Sequence, residues 1–98
     1  MLKKHYYKGG KTCRVWFYLP ADVDAQDVNL VGDFNDWDQA AMPMKQKKDG
    51  TFYTAITLET GKDYQFRYLV NHQEWENDWD ADAYVQNDLG TENSVVKV

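Results

Sequence analysis

The sequence predicts an all-β protein built as an antiparallel β-sandwich. Three observations support this class: short segments alternate polar and apolar residues, turn-forming residues recur, and no segment has helical periodicity. About seven short strands with turn signals about every 8–12 positions are typical of an immunoglobulin-like sandwich. The 98 residues suit one domain, residues 1–98. A small closed barrel is the alternative architecture.

The first half of the chain contains two predicted strands and one weaker candidate. Residues 12–19 alternate, which places four apolar side chains on the core face and Trp16 on the opposite face. Residues 27–34 alternate again and are followed by the turn-forming run 35–38, which contains a tryptophan. Residues 40–47 predict only a weak strand. No strand is predicted in the basic, polar residues at the start of the chain.

The second half continues the alternation. Residues 51–58 follow an Asp-Gly hairpin signal, and residues 63–70 alternate with Arg67 on the outer face. Three shorter strands are predicted after them, with an acidic loop at residues 77–82: residues 74–76, 83–86 and 94–98.

Charge and hydropathy exclude several classes of partner. The formal net charge is −5, whereas a protein that binds duplex nucleic acid is normally basic. No stretch approaches the roughly 18 apolar residues of a membrane span, and the basic N-terminus has no apolar run after it. We therefore expect a cytoplasmic protein with neither a nucleic-acid nor a membrane partner.

The residues that usually carry catalysis are sparse. Ser94 is the single serine and lies in no nucleophile elbow, and Cys13 falls on the core face. The two histidines, His5 and His72, have no partner at metal-ligand spacing. A glycosidase needs two carboxylates that face each other across a cleft, which a sandwich this small does not close. The sequence therefore predicts no enzyme, no cofactor and no metal site.

The acidic loop has one feature of a calcium site. Asp78, Asp80 and Asp82 have the alternate spacing of a calcium loop's first ligands. The glycine and the glutamate that such a loop also requires are replaced by Ala83 and Leu89. We therefore predict a solvated loop rather than a cation site.

The tryptophans favour a binding face. None of the four lies in an apolar position of a strongly apolar strand. Indole rings exposed on a rigid scaffold indicate ligand binding, and the acidic charge disfavours nucleobases with their phosphates. A carbohydrate or a protein partner is favoured instead. The rings in question are Trp16, Trp37, Trp75 and Trp79.

Three ordered motifs resemble the family-48 carbohydrate-binding modules. The motifs are residues 28–37 (VNLVGDFNDW), residues 64–70 (YQFRYLV) with Trp75 shortly after, and residues 89–96 (LGTENSVV). These modules are early-set sandwiches found in isoamylase, in glycogen branching enzymes and in the β subunit of the AMP-activated protein kinase. The resemblance covers residues 27–98 and implies an immunoglobulin-like early-set fold that binds α-glucans.

The resemblance also implies roles for individual residues. It implies stacking on glucose units for Trp37 and Trp75, insertion into the glucan curve for Leu89, and hydrogen bonds to sugar from Arg67, Thr91 and Asn93. Trp79 would add a third stacking surface. The chain departs from the family pattern in having arginine for lysine at position 67 and one extra residue before Trp75.

The expected function is non-catalytic binding of an α-glucan such as glycogen or starch. In the alternative, the same aromatic residues dock onto a partner protein, such as a glycan-metabolising enzyme, and no sugar is bound. A hydrolase is a third class, which would release reducing ends from glycogen.

Overall fold

A computed structural model describes residues 2–98, in which nine β-strands and one 3₁₀ turn form an all-β fold. The predicted class is confirmed, with more strands than the seven expected. No helix in this part of the chain has the length and apolar character needed to cross a membrane. The strands are β1 Leu2–Tyr6, β2 Thr12–Leu19, β3 Val28–Gly32, β4 Lys45–Gln46, β5 Phe52–Glu59, β6 Asp63–Val70, β7 Glu74–Glu76, β8 Ala83–Gln86 and β9 Glu92–Lys97, and the 3₁₀ turn is Asp33–Asn35.

The strands form two antiparallel sheets that pack as a sandwich rather than closing into a barrel. One sheet has four strands in the order β1-β2-β5-β4. The other has the order β3-β6-β9-β8, and the short β7 pairs with the C-terminal half of β6. This arrangement makes β6 the central strand of the five-stranded sheet, with β3 along one edge and β7 and β9 sharing the other.

The first strand was not expected from the sequence. β1 pairs antiparallel with β2, from Leu2 opposite Phe17 to Tyr6 opposite Cys13. Its sequence is largely polar because an edge strand needs few core residues, and Leu2 is the side chain of β1 that packs against the core. The Lys4 ammonium also lies 2.6 Å from an Asp82 carboxylate oxygen, which ties the basic start of the chain to the acidic loop.

Apolar side chains from both sheets form the core. The core face predicted for residues 12–19 is confirmed, since Cys13 and Phe17 are fully buried. Phe66 packs edge-on against Phe17 with ring centroids 5.0 Å apart, and Tyr68 continues the stack at 5.7 Å from Phe66. Edge-to-face aromatic packing adds stability beyond the area buried.

The outer face of the five-stranded sheet is more apolar than simple alternation predicts. Alternation along β6 places Leu69 on the outer face with Arg67, where exposure is expected, but Leu69 is buried together with Val31. The strand register explains this burial. Trp75 is the cross-strand neighbour of Leu69, and Arg67 is the neighbour of Val31, so two long side chains shelter the smaller ones.

The acidic loop is anchored rather than fully solvated, which corrects the sequence-based expectation. Asp78 is buried, and its carboxylate accepts hydrogen bonds from the Tyr68 hydroxyl at 2.7 Å and the Asp80 backbone N–H at 2.8 Å. The Asp78 backbone N–H donates to the Ser94 hydroxyl at 2.9 Å. Burial, reinforced by the negative Asp78, raises the pKa of Tyr68 well above its ordinary range.

Candidate functional site

Five of the predicted site residues meet in one open groove on the outer face of the five-stranded sheet. The groove has a volume of about 310 Å³, and we call it the tryptophan groove. Its walls come from the turn after β3, from β6 and β7, and from the turn between β8 and β9. The lining residues are Trp37, Arg67, Trp75, Asn87, Asp88, Leu89 and Asn93.

Trp37 is held by the turn that follows the 3₁₀ segment. Asp36 and Trp37 both adopt left-handed backbone conformations, with φ of 56° and 58°. The indole N–H donates to one carboxylate oxygen of Asp33 at 2.9 Å, and the other oxygen accepts the Gln65 backbone N–H at 2.8 Å. Asp33 therefore connects the indole of Trp37 directly to the central strand β6.

The same turn depends on a close approach of two strands. A Cβ atom on Gly32 would lie 2.5 Å from the Gln65 carbonyl oxygen, so β3 passes β6 only because no side chain is present. The Asn35 side chain accepts the Gly32 N–H at 3.0 Å and donates to the Leu30 carbonyl at 2.9 Å. Phe34, between them, packs against the core. These residues hold the base of the turn that carries Trp37.

Arg67 and Trp75 form a pair on the floor of the groove. The Arg67 guanidinium carbon lies 5.3 Å from the Trp75 ring centroid, a cation–π contact, and 37% of Trp75 is exposed. The guanidinium forms no hydrogen bond to another of residues 2–98, and its buried Nε has no acceptor there. Burial lowers the pKa of Arg67. A guanidinium that has no hydrogen-bond acceptor within residues 2–98 can donate its N–H groups to oxygen atoms of a ligand.

Asn87 organises the turn between β8 and β9. Its side-chain oxygen accepts the backbone N–H groups of Leu89 at 3.0 Å and of Thr91 at 3.2 Å. This arrangement projects Leu89, which is 86% exposed, from the rim of the groove. Sequence reasoning missed Asn87, although an Asn-Asp pair before Leu-Gly is a recognisable turn signal.

Of the two polar residues predicted after Leu89, Asn93 lies in the groove and Thr91 lies outside it. The Thr91 hydroxyl exchanges hydrogen bonds with the Asn87 side chain, and Thr91 does not line the groove. Asn93 does line the groove, and its Nδ2 donates to Gln65 Oε1 at 3.0 Å while its Oδ1 accepts from Asn87 at 3.1 Å. The turn and the floor of the groove are therefore joined by one hydrogen-bond network.

Trp79 lies outside the tryptophan groove. It follows β7 in the acidic loop, where 54% of it is exposed, and its indole N–H donates to Glu76 at 3.1 Å. The structure thus separates this ring from the pair formed by Trp37 and Trp75.

A β-sandwich with an open, partly aromatic groove on the outer face of one sheet is the architecture typical of a binding module. Residues 4–85 match the family model described as carbohydrate-binding module 48 (isoamylase N-terminal domain). The chain belongs to this family, a family of non-catalytic modules, and membership indicates carbohydrate binding. The match ends before the turn that contains Leu89.

Two curated relatives are similar to most of this chain. It is 34% identical over 69 residues to a 1,4-alpha-glucan branching enzyme GlgB of Butyrivibrio fibrisolvens, covering 70% of this chain and 11% of the relative. It is 37% identical over 68 residues to a 1,4-alpha-glucan branching enzyme GlgB of Aquifex aeolicus (strain VF5), covering 66% and 10%. The chain thus spans about a tenth of the length of these relatives.

Proposed function

We propose that the tryptophan groove binds an α-glucan without catalysis, with Trp37 and Trp75 stacking on glucose units. The observation that carries the proposal is that both rings line one open groove on a rigid sheet. Membership of a carbohydrate-binding family supports a sugar ligand. The names of the relatives, glucan branching enzymes, support an α-glucan in particular.

The chemistry of the groove suits a sugar chain. The apolar C–H face of a pyranose can lie on an indole, and Trp75 would take it on the ring face opposite Arg67. Arg67 and the amide of Asn93 would meet the hydroxyls of neighbouring glucose units in the groove, while Leu89 would enter the concave side of a curved glucan. An open groove also lets a long polymer bind from the side, without threading by a chain end.

The strength of binding can be bounded from these contacts. Each stack would remove about 100 Å² of apolar surface from water, which is worth roughly 2–3 kcal/mol. Two stacks and a few hydrogen bonds give about 6–8 kcal/mol, and association costs at least about 4 kcal/mol. The expected dissociation constant is therefore about 1 mM or weaker for a single site. Such weak binding suits a polymer with many copies of its repeat, where rebinding helps.

The lining of the groove also favours binding over hydrolysis. Asp88 is the one carboxylate among the described residues that line it, whereas glycoside hydrolysis generally needs an opposed pair. The proposed glucan binding requires no cofactor. The cytoplasmic location expected from the sequence stays a prediction.

Affinity electrophoresis tests the proposal. The wild-type protein should be retarded in a native gel that contains glycogen, and a Trp37→Ala/Trp75→Ala variant should run as it does without glycogen. A Trp79→Ala variant is the matched control, since it also loses an exposed indole but leaves the groove intact. We expect it to be retarded as the wild type is; partial loss of retardation would instead establish Trp79 as a third stacking surface. Circular dichroism establishes that each variant is folded.

A protein partner is the rival occupant of the groove. Leu89 and Trp75 expose apolar surface that would suit docking onto a separate protein, such as a glycan-metabolising enzyme. An unretarded wild-type protein that binds such an enzyme through Leu89 would establish this rival and contradict glucan binding.

A further inference from the structure

The outer face of the four-stranded sheet carries a second group of aromatic side chains, on the opposite side of the sandwich from the groove. Trp16 and Tyr18 alternate outward on β2. The register places Ala55 beside Trp16 and Tyr53 beside Tyr18. Three half-buried rings therefore lie on one sheet face, interrupted by the small side chain of Ala55.

Cations are held against these rings. The Arg14 guanidinium carbon lies 5.3 Å and the Lys3 ammonium 5.8 Å from the Trp16 ring centroid. The Lys47 ammonium lies 5.0 and 5.6 Å from the rings of the two tyrosines. A contact with an aromatic ring restrains a cation without neutralising its charge. The face is therefore set up to receive negative charge.

Within residues 2–98 this charge is compensated only in part. Hydrogen bonds from Thr51, together with the charge of Lys47, lower the pKa of Asp49, so one acid lies within electrostatic reach of Lys47. Among residues 2–98, neither Arg14 nor Lys45 forms an ion pair, and the same holds for the two lysines on the rings. Glu59, at the end of β5, is already paired with Lys62 at 2.8 Å. The protein as a whole carries a net charge of −5, so this positive patch runs against the overall charge.

A small cleft opens where Ala55 interrupts the rings. It has a volume of about 210 Å³, and we call it the Arg14–Lys45 cleft. This volume is below the range of about 300–1,000 Å³ that is typical of pockets for drug-sized ligands. A cleft of this size can hold one charged substituent together with the ring to which the substituent is attached. Its lining residues are Arg14, Trp16, Lys45, Tyr53, Thr54 and Ala55.

We infer that the Arg14–Lys45 cleft is a second ligand site, which binds an anionic substituent, a phosphate monoester, carried on an α-glucan chain. The inference rests on the proposed function for the identity of the polymer. Arg14 and Lys45 supply the charge, and Trp16 and Tyr53 supply apolar walls for the sugar ring. A fork of guanidinium N–H groups matches the geometry of phosphate oxygens.

The overall charge favours a sparsely charged polymer over a nucleic acid. A chain with one phosphate per residue would meet repulsion from the net charge of −5, whereas isolated phosphates on a neutral glucan would not. The shortest dimension of the molecule is 23 Å, so two branches of one polymer can occupy the two faces. Joint occupancy would raise the avidity for the polymer.

The test compares a phosphorylated maltodextrin with the same maltodextrin after phosphatase treatment, each in affinity gels at low salt. We expect the wild-type protein to bind the phosphorylated matrix about three- to tenfold more tightly. Arg14→Gln/Lys45→Gln should remove this difference, and Lys8→Gln/Lys11→Gln is the control with the same change in charge. Ala55→Leu, which fills the cleft and keeps both cations, should also remove the difference.

The groove variant separates this inference from the proposed function. Trp37→Ala/Trp75→Ala should lose binding to the dephosphorylated matrix and keep the dependence on phosphate. Equal binding of wild type to both matrices would overturn the second site, whatever the groove does. The inference would also be wrong if a short single-stranded oligonucleotide or polyglutamate displaced the phosphorylated matrix at lower concentration than a phosphorylated maltodextrin fragment does.

Discussion

Asp33 should control how well Trp37 is positioned for a ligand. Its carboxylate accepts the Trp37 indole N–H at 2.9 Å and the Gln65 backbone N–H at 2.8 Å. Asp33→Ala removes both acceptors, so the Trp37 indole loses the hydrogen bond that orients it. Asp33→Asn is the graded control, because an amide keeps one acceptor oxygen and loses the other.

Both stability and affinity should fall, by amounts that follow from these two bonds. Each solvent-exposed hydrogen bond is worth about 0.5–1 kcal/mol, so Asp33→Ala should lower the free energy of unfolding by about 1–2 kcal/mol. The corresponding fall in Tm is roughly 5–10 °C for a chain of this size. If the Trp37 ring must be ordered on binding, the cost is about 0.5–1.5 kcal/mol, which weakens glucan binding about 2- to 13-fold.

Thermal denaturation and isothermal titration with maltoheptaose measure the two effects separately. Asp33→Asn should lie between wild type and Asp33→Ala in both. A Tm that falls while the affinity stays at the wild-type value would refute the positioning role and leave Asp33 a purely structural residue.

Four further predictions concern single residues. Leu89→Ala should leave the urea midpoint almost unchanged, because the side chain is 86% exposed, yet weaken retardation by glycogen several-fold; unchanged retardation would contradict insertion into a glucan. Tyr68→Phe should cost about 1–3 kcal/mol, because the buried Asp78 loses a hydroxyl donor at 2.7 Å, and a chemical denaturation curve measures it. Burial raises the pKa of Tyr68, so the folded state binds the Tyr68 proton more tightly than the unfolded state does. The free energy of unfolding of the wild type should therefore fall above about pH 10, more steeply than that of Tyr68→Phe. Parallel profiles of unfolding free energy against pH for the two proteins would refute this. Gly32→Ala should lower the free energy of unfolding by about 1–3 kcal/mol, because its Cβ would lie 2.5 Å from the Gln65 carbonyl oxygen; an unchanged urea midpoint would contradict the tight approach.

Much of the fold could be predicted because alternation is a local signal. The bounds of β2 at residues 12–19 and of β6 at residues 63–70 agree with those expected from the sequence. β1 could not be predicted in this way, because its polar residues pair through backbone hydrogen bonds with the edge of β2. The burial of Leu69 could not be predicted either, because alternation assumes that one face of the sheet is solvated. Here Trp75 covers that face beside Leu69.

The site was less accessible to sequence reasoning than the fold. Trp37 and Trp75 stood out because each indole occurs in a polar setting, and the structure brings both to one groove. Asp33 and Asn87 did not stand out, because acidic and amide residues are common in turns. Their importance depends on which N–H groups the folded chain places within hydrogen-bond distance, and this is a property of the tertiary structure.

Resolved indole N–H signals would show directly whether Trp37 and Trp75 together bind a glucan. In a ¹⁵N-labelled sample, single Trp→Phe variants would assign the four indole signals, and maltoheptaose would then be titrated in. If the groove binds glucan, Trp37 and Trp75 should show saturable shifts with one common dissociation constant, and neither Trp16 nor Trp79 should show a comparable shift. Absence of any shift at millimolar maltoheptaose, or shifts confined to Trp16 or Trp79, would contradict glucan binding in the groove.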